Sequence, residues 1–115
     1  MNHHKTKRKF GRVRKVRVSL MKSLALALVL ENKIKTTDAK ARELRPMVEK
    51  MVTQGRLGTV SARRGLVSQI GSFGAEKIMK DIAPKYSKRA GGYTRITKLP
   101  ARKSDGSLMS VIEFV

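Results

Sequence analysis

The first acidic residue of this chain is Glu31, and ahead of it stand Lys5, Lys7, Arg8, Lys9, Arg12, Arg14, Lys15 and Arg17. Residues 1–17 carry almost no apolar side chains, so the stretch cannot bury enough surface to offset the entropy of ordering it. Alone it reads as a disordered arm, and any compact fold has to be built from residues 18–115. A merely solubilising tail mixes charge signs. Eight cations without an interspersed anion point instead to an arm that embraces phosphate.

The imbalance runs through the whole chain: 27 Lys and Arg face 8 Asp and Glu, a net charge of +19. Self-repulsion on that scale does nothing for a free globular protein, whereas a polyanion would neutralise it and release its own counterions. Nucleic acid is the leading partner class, and an anionic membrane surface is the physical rival. At 115 residues with 40% apolar content there is material for one modest core, hence one domain. The absence of Cys removes disulfides, thiolate metal sites and thiol nucleophiles. With no Trp, two Tyr and three Phe, the chain is poor in platforms for stacking bases, so its contacts should go to phosphate and to RNA shape.

Basic residues precede an apolar run at 24–30, as they do in a secretory leader. The basic region is too long for one, no small-residue cleavage site follows, and the run is far shorter than the ~20 residues that span a bilayer. A mitochondrial transit segment would be amphipathic and Ser-rich, which this one is not.

Periodicity orders the remainder. Ser19 is a plausible cap for a helix to Leu30, with Leu20, Leu24 and Leu28 at fourfold spacing, apolar nearly all round and so buried. Residues 33–37 alternate charge with β-branched side chains and read as a short strand with Ile34 and Thr36 inward. Thr37 caps the next helix, whose core face is Leu44, Met47, Val48, Met51 and Val52. Its solvent face includes Arg42, Arg45, Glu49 and Lys50. Pro46 predicts a kink or break in that helix near residues 43–45. Gly55 and Gly58 bracket a loop, and Thr59 caps a short helix carrying Val60, Leu66, Val67 and Ile70. Ser72 starts another, which Pro84 stops. Strands at 93–98 and 110–115, joined through the turn chemistry of Asp105-Gly106, should pair antiparallel. The expected fold class is α+β, a two-layer single domain with about four helices on a small three-stranded mixed sheet and a basic N-terminal extension.

Catalytic constellations are missing from the pattern. His3 and His4 are adjacent in the arm, a spacing that does not present two imidazoles to one metal as a helical i, i+4 pair does, and phosphate contact or solvation suits them better. The carboxylates are scattered among cations and form no acid/base pair. No enzymatic activity, cofactor, metal or small-molecule substrate is expected. Gly91-Gly92 is not followed by the Gly-Lys-Ser/Thr of a phosphate loop. Two readings stand for it. Lys85, Lys88, Arg89 and Arg95 surround the glycines and Tyr93, so backbone N–H groups and cations can approach a phosphate while the ring packs on a ribose or base. Alternatively, the glycines only turn the chain and Tyr93 is core. Arg63-Arg64 is either an exposed helical face or a second phosphate clamp.

Several segments taken in order carry a resemblance. They are Ile34-Lys35-Thr36-Thr37, Ala39-Lys40-Ala41-Arg42-Glu43-Leu44-Arg45-Pro46, Ala62-Arg63-Arg64, Arg89-Ala90-Gly91-Gly92-Tyr93-Thr94-Arg95-Ile96 and the closing Ile112-Glu113-Phe114-Val115. Together the chain resembles the bacterial large-subunit ribosomal protein family numbered seventeen. The resemblance implies an α+β fold and a structural role in folding and assembling large-subunit RNA. It also implies a place near the peptide exit beside the small ribosomal protein numbered thirty-two, and a cytoplasmic location in a bacterial ribosome or its organellar counterpart. Lys22-Ser23 replaces the family's usual Arg-Asn pair, and residues 68–74 carry extra glycines. The residues expected to meet RNA are His3, His4, Lys5, Lys7, Arg8, Lys9, Arg12, Arg14, Lys15, Arg17, Lys35, Arg63, Arg64, Lys88, Arg89, Gly91, Gly92, Tyr93 and Arg95. The rivals are a free DNA-compacting or regulatory protein, which needs a recognition helix or a dimer seam, and a small RNA-modifying enzyme, which needs a catalytic set.

Overall fold

The computed structural model describes residues 13–115; His3, His4, Lys5, Lys7, Arg8, Lys9 and Arg12 lie outside the described residues. Helix α1 (Arg14–Glu31) begins five residues ahead of Ser19, which is therefore inside the helix and caps nothing. Nor is α1 buried all round. Ala25, Leu28 and Val29 enter the core from its C-terminal half, while Val16 and Val18 are half exposed. Periodicity misplaced the start because the first turns pack on little and carry no cap: Val13 holds the cap position without a side-chain bond. At the other end Asn32 turns left-handed (φ 66°) and donates its N–H to the Leu28 carbonyl.

Strand β1 (Lys33–Thr37) follows, with Thr36 buried and Ile34 half-buried. Thr37 then accepts from the Lys40 N–H to open α2 (Asp38–Arg56), and Asp38 sits in the first turn where the helix dipole favours it. α2 runs unbroken through Pro46. The missing N–H is at an exposed position, whereas Ala41, Leu44, Val48, Met51 and Val52, on both sides of Pro46, are fully buried along one face. That shared burial outweighs one lost backbone bond. Gly55 belongs to α2 and not to a loop. A Cβ there would lie 2.8 Å from Ile78 Cγ2, so the glycine is a close-packing device.

Thr59 caps α3 (Val60–Ile70) by accepting from the Ala62 N–H at 3.0 Å; Val60 itself is exposed. After Gly71 comes α4 (Ser72–Lys77), which widens into a π turn at Ile78–Ile82 and tightens into a 3₁₀ turn at Ala83–Tyr86. Pro84 thus does not set the end of the α-helix, which stops at Lys77; it takes one of the first positions of the 3₁₀ turn, and the altered turns keep Ile78, Ile82 and Tyr86 in the core.

Strands β2 (Thr94–Leu99) and β3 (Met109–Phe114) pair antiparallel, and β1 pairs antiparallel with β3 on its other side, giving the order β1-β3-β2. The sheet is antiparallel throughout and not mixed. Three helices, α2, α3 and α4, with their connections separate β1 from β2, and β3 then closes between the two strands. One sheet face packs on α2, and α3 and α4 complete the helical layer around α1 and α2. The seam is polar as well as apolar. Buried Ser110 donates to Asp38 Oδ1 at 2.7 Å, and the Asp38 N–H donates to the Leu108 carbonyl, pinning the start of α2 to β3.

Candidate nucleic-acid interface

The cations proposed from sequence fall into three groups on this framework. Arg14 and Lys15 are exposed and Arg17 is half-buried on the first turns of α1. No acidic residue stands in that first turn, so three positive side chains lie at the positive end of the helix dipole. Arg63 and Arg64 are exposed on α3, away from its buried Ala62, Leu66 and Ile70. Lys88, Arg89 and Gly92 are exposed in the connection between the 3₁₀ turn and β2, with Lys35 and Arg95 on the sheet.

The connection is held at both ends by residues of α2. Arg56 donates from Nη2 to the Ser87 carbonyl and from Nη1 to the Tyr93 hydroxyl, both at 3.0 Å. The Tyr93 hydroxyl also lies 3.1 Å from Thr53 Oγ1 and 3.2 Å from the Arg89 carbonyl. Glu49, whose periodicity placed it toward solvent, instead accepts from the Thr94 N–H and hydroxyl, at 3.2 and 2.8 Å, and so fixes the start of β2. Gly91 and Gly92 take φ of 140° and 64°, values that a side chain resists, and they make the turn between these anchors. The result is a braced loop that holds Lys88 and Arg89 outward.

Tyr93 settles one of the two readings left open. Its ring is fully buried, stacked at a tilt on Tyr86 with centroids 5.1 Å apart, and presents no face to a ribose or base. It is a core residue whose hydroxyl braces the loop. Arg56 and Glu49 were not expected in this role. The periodicity of α2 shows which positions face inward but not that two of its polar side chains reach residues some 40 positions away.

Charge pairing explains why the basic excess stays outward. Between described residues, ion pairs join Asp38 with Arg42, Glu49 with Arg45, Asp81 with Lys77, Glu76 with Lys80, Glu113 with Arg95 and Asp105 with Arg102. Lys80, hydrogen-bonded to Glu76, holds that carboxyl below its usual range, helped more weakly by Arg63. Arg14, Lys15, Lys35, Arg64, Lys88 and Arg89 form no ion pair with a described carboxylate. Arg95 is the exception among the site residues, since Nε and Nη2 both reach Glu113 Oε1. Among the described residues no group of acids and histidines is placed to hold a metal, and no helix is long and apolar enough to cross a membrane.

The ribosomal protein L17 family model matches residues 20–115. The large ribosomal subunit protein bL17 of Shouchella clausii is 42% identical over 116 residues, covering 93% of this chain and 97% of its own length. The proteins of the same description from Gemmatimonas aurantiaca and Campylobacter jejuni are 41% and 44% identical over 116 residues, cover 100% of this chain, and are themselves covered to 98% and 99%. A family match over most of the sequence, on an α+β body that leaves its surplus cations exposed, has one consequence: the chain belongs to the ribosomal protein L17 family.

Proposed function

We propose that this protein is a structural constituent of the large ribosomal subunit, in the bacterial cytoplasm, and that it binds the subunit's RNA and stabilises its folding. The observation that carries the reading is the one-sided pairing of charge. Most of the acids are engaged by the protein's own cations, and those left over face outward from three separate elements. Fixed cations replace the mobile counterions of RNA, which are released on binding. The braced loop and α3 supply position, since Lys88, Arg89, Arg63 and Arg64 sit on ordered backbone. The basic segment 1–17 supplies bulk charge, and the first turns of α1 gain stability when phosphate meets their positive end. The small protein numbered thirty-two is the proposed protein neighbour, on the family resemblance.

Each phosphate neutralised contributes roughly −0.7 to −0.9 to the log–log slope of affinity against salt, so binding to large-subunit RNA should fall steeply. The test is that slope, together with co-sedimentation through a sucrose gradient. Steep dependence and co-migration with the large subunit after a moderate salt wash support the reading. A shallow slope, or migration free of the subunit, overturns it.

A further inference from the structure

We propose that the outward face of the sheet is a docking surface for double-helical RNA, seated on the shallow minor groove with its cations on the flanking phosphates. The inference rests on the RNA-binding reading above and names a surface within it. The pairing register decides which side chains share this face, because residues opposite one another across an antiparallel ladder point to the same side. Lys33, Glu113 and Arg95 make one row, Lys35, Val111 and Thr97 the next, and Thr37, Met109 and Leu99 the third. The other face carries Ile34, Ile112 and Ile96 into the core against α2.

Lys33 and Lys35 are exposed, lie on one face of one strand about 7 Å apart, and pair with no described carboxylate. Like charges so placed do not help a sheet to form. A row of phosphates relieves them. Beyond the third row the β2–β3 connection adds exposed Lys103, beside an open groove of about 550 Å³ floored by Leu99, Pro100 and Met109. The face therefore has an apolar floor at Val111, Met109 and Leu99, with Lys33, Lys35 and Lys103 along its borders and the Glu113–Arg95 ion pair closing one end.

Charge selects a polyanion, and the floor selects its form. None of the strand residues on this face is aromatic, so it lacks the platforms on which sheets stack splayed single-stranded bases. An A-form duplex presents a wide, shallow minor groove lined by riboses between two phosphate rows, which a flat face with basic borders matches. The B-form minor groove, about 6 Å wide, admits a sheet only after the duplex is bent and widened, at a cost in unstacking.

The test uses the full chain and two charge-matched double variants, Lys33→Gln/Lys35→Gln on the sheet and Lys22→Gln/Lys50→Gln on the helices, all at exposed positions. Salt slopes are measured on an RNA duplex of about 16 base pairs, on single-stranded RNA of equal phosphate count, and on large-subunit RNA. The sheet double should lower the duplex slope by about 1.5 to 2, and the helix double by less than half of that. Equal losses in the two doubles, or a loss on single strands as large as on duplex, overturn the proposal. So does a sheet double that keeps its RNA slope yet fails to enter the large subunit, because the face then docks a protein. If the unaltered chain itself binds large-subunit RNA with a shallow slope, the broader reading fails. If it binds steeply and the sheet double is unchanged, only the sheet surface fails.

Discussion

The two long helices of this protein are built on opposite terms. α2 is closed by the chain's own residues: Thr37 caps it, Asp38 answers its dipole and pairs with Arg42, and Arg45 pairs with Glu49. Six of its residues are buried. The first turns of α1 have no side-chain cap, no acid, three cations at the wrong end of the dipole, and exposed Val13, Val16 and Val18. One helix is completed by folding, and the start of the other is left uncapped, where on the proposed reading an anion completes it. The contrast separates a segment that holds geometry, its end groups satisfied internally, from one whose end groups remain without a side-chain cap.

Truncation in the two helices gives the largest expected difference. Leu44→Ala in α2 should cost about 2 to 5 kcal/mol in denaturant unfolding, as a large core side chain is lost. Val16→Ala on α1 should stay within about 0.5 kcal/mol. Comparable losses would break the distinction. Next is the brace between α2 and the loop. Tyr93→Phe keeps the ring but strands Arg56 Nη1, and should cost about 1 to 3 kcal/mol. Amide exchange should then speed up selectively at Lys88 and Arg89.

Capping sharpens the contrast from both sides. Thr37→Ala should destabilise the domain by about 0.5 to 2 kcal/mol. Val13→Ser, which supplies the cap that α1 lacks, should raise helicity at residues 14–18 with little change in global unfolding, as read by backbone chemical shifts. The smallest effect is confined to the β2–β3 turn. Arg102, first by its hydrogen bond to Asp105, and then the Ser107 N–H hold the Asp105 carboxyl down to about 2. A folded pKa below the ordinary value of 3.8 means that this contribution is present above pH 4 and lost as pH falls through about 2. Acid titration followed at the Ser107 amide should therefore disturb the turn near pH 2 and leave α2 unaffected at that step. A midpoint near 4 would show that the ion pair is absent in solution.

The local elements were largely legible in the sequence. β1, α2, α3 and the β2–β3 pairing follow from alternation, caps at Thr37 and Thr59, and turn chemistry at Asp105-Gly106. The failures share one cause. Pro46 was weighed by its backbone alone, Gly55 by its propensity, Glu49 by its helical phase and Tyr93 by its neighbours in sequence. Pro46 is decided by the burial of the α2 face on either side of it, and the others by residues far along the chain: Tyr93 by Thr53, 40 positions away, Glu49 by Thr94, 45 away, and Gly55 by Ile78. The start of α1 failed for the reverse reason, since no cap or buried face marks it.

The sequence by itself determined the sign of the protein's own charge, because an excess of 27 cations over 8 acids survives any folding, and it determined the helices and strands whose signals lie within a few residues. Only the tertiary structure decided which cations share a surface. The β1-β3-β2 order sets Lys33 and Lys35 across β3 from Arg95, some sixty positions later in the chain, while α2 draws Tyr93 inward and leaves Lys88 and Arg89 outside. Sequence patterns report spacing along a chain. A binding face is set by register and packing between segments, and those are fixed only when the core closes.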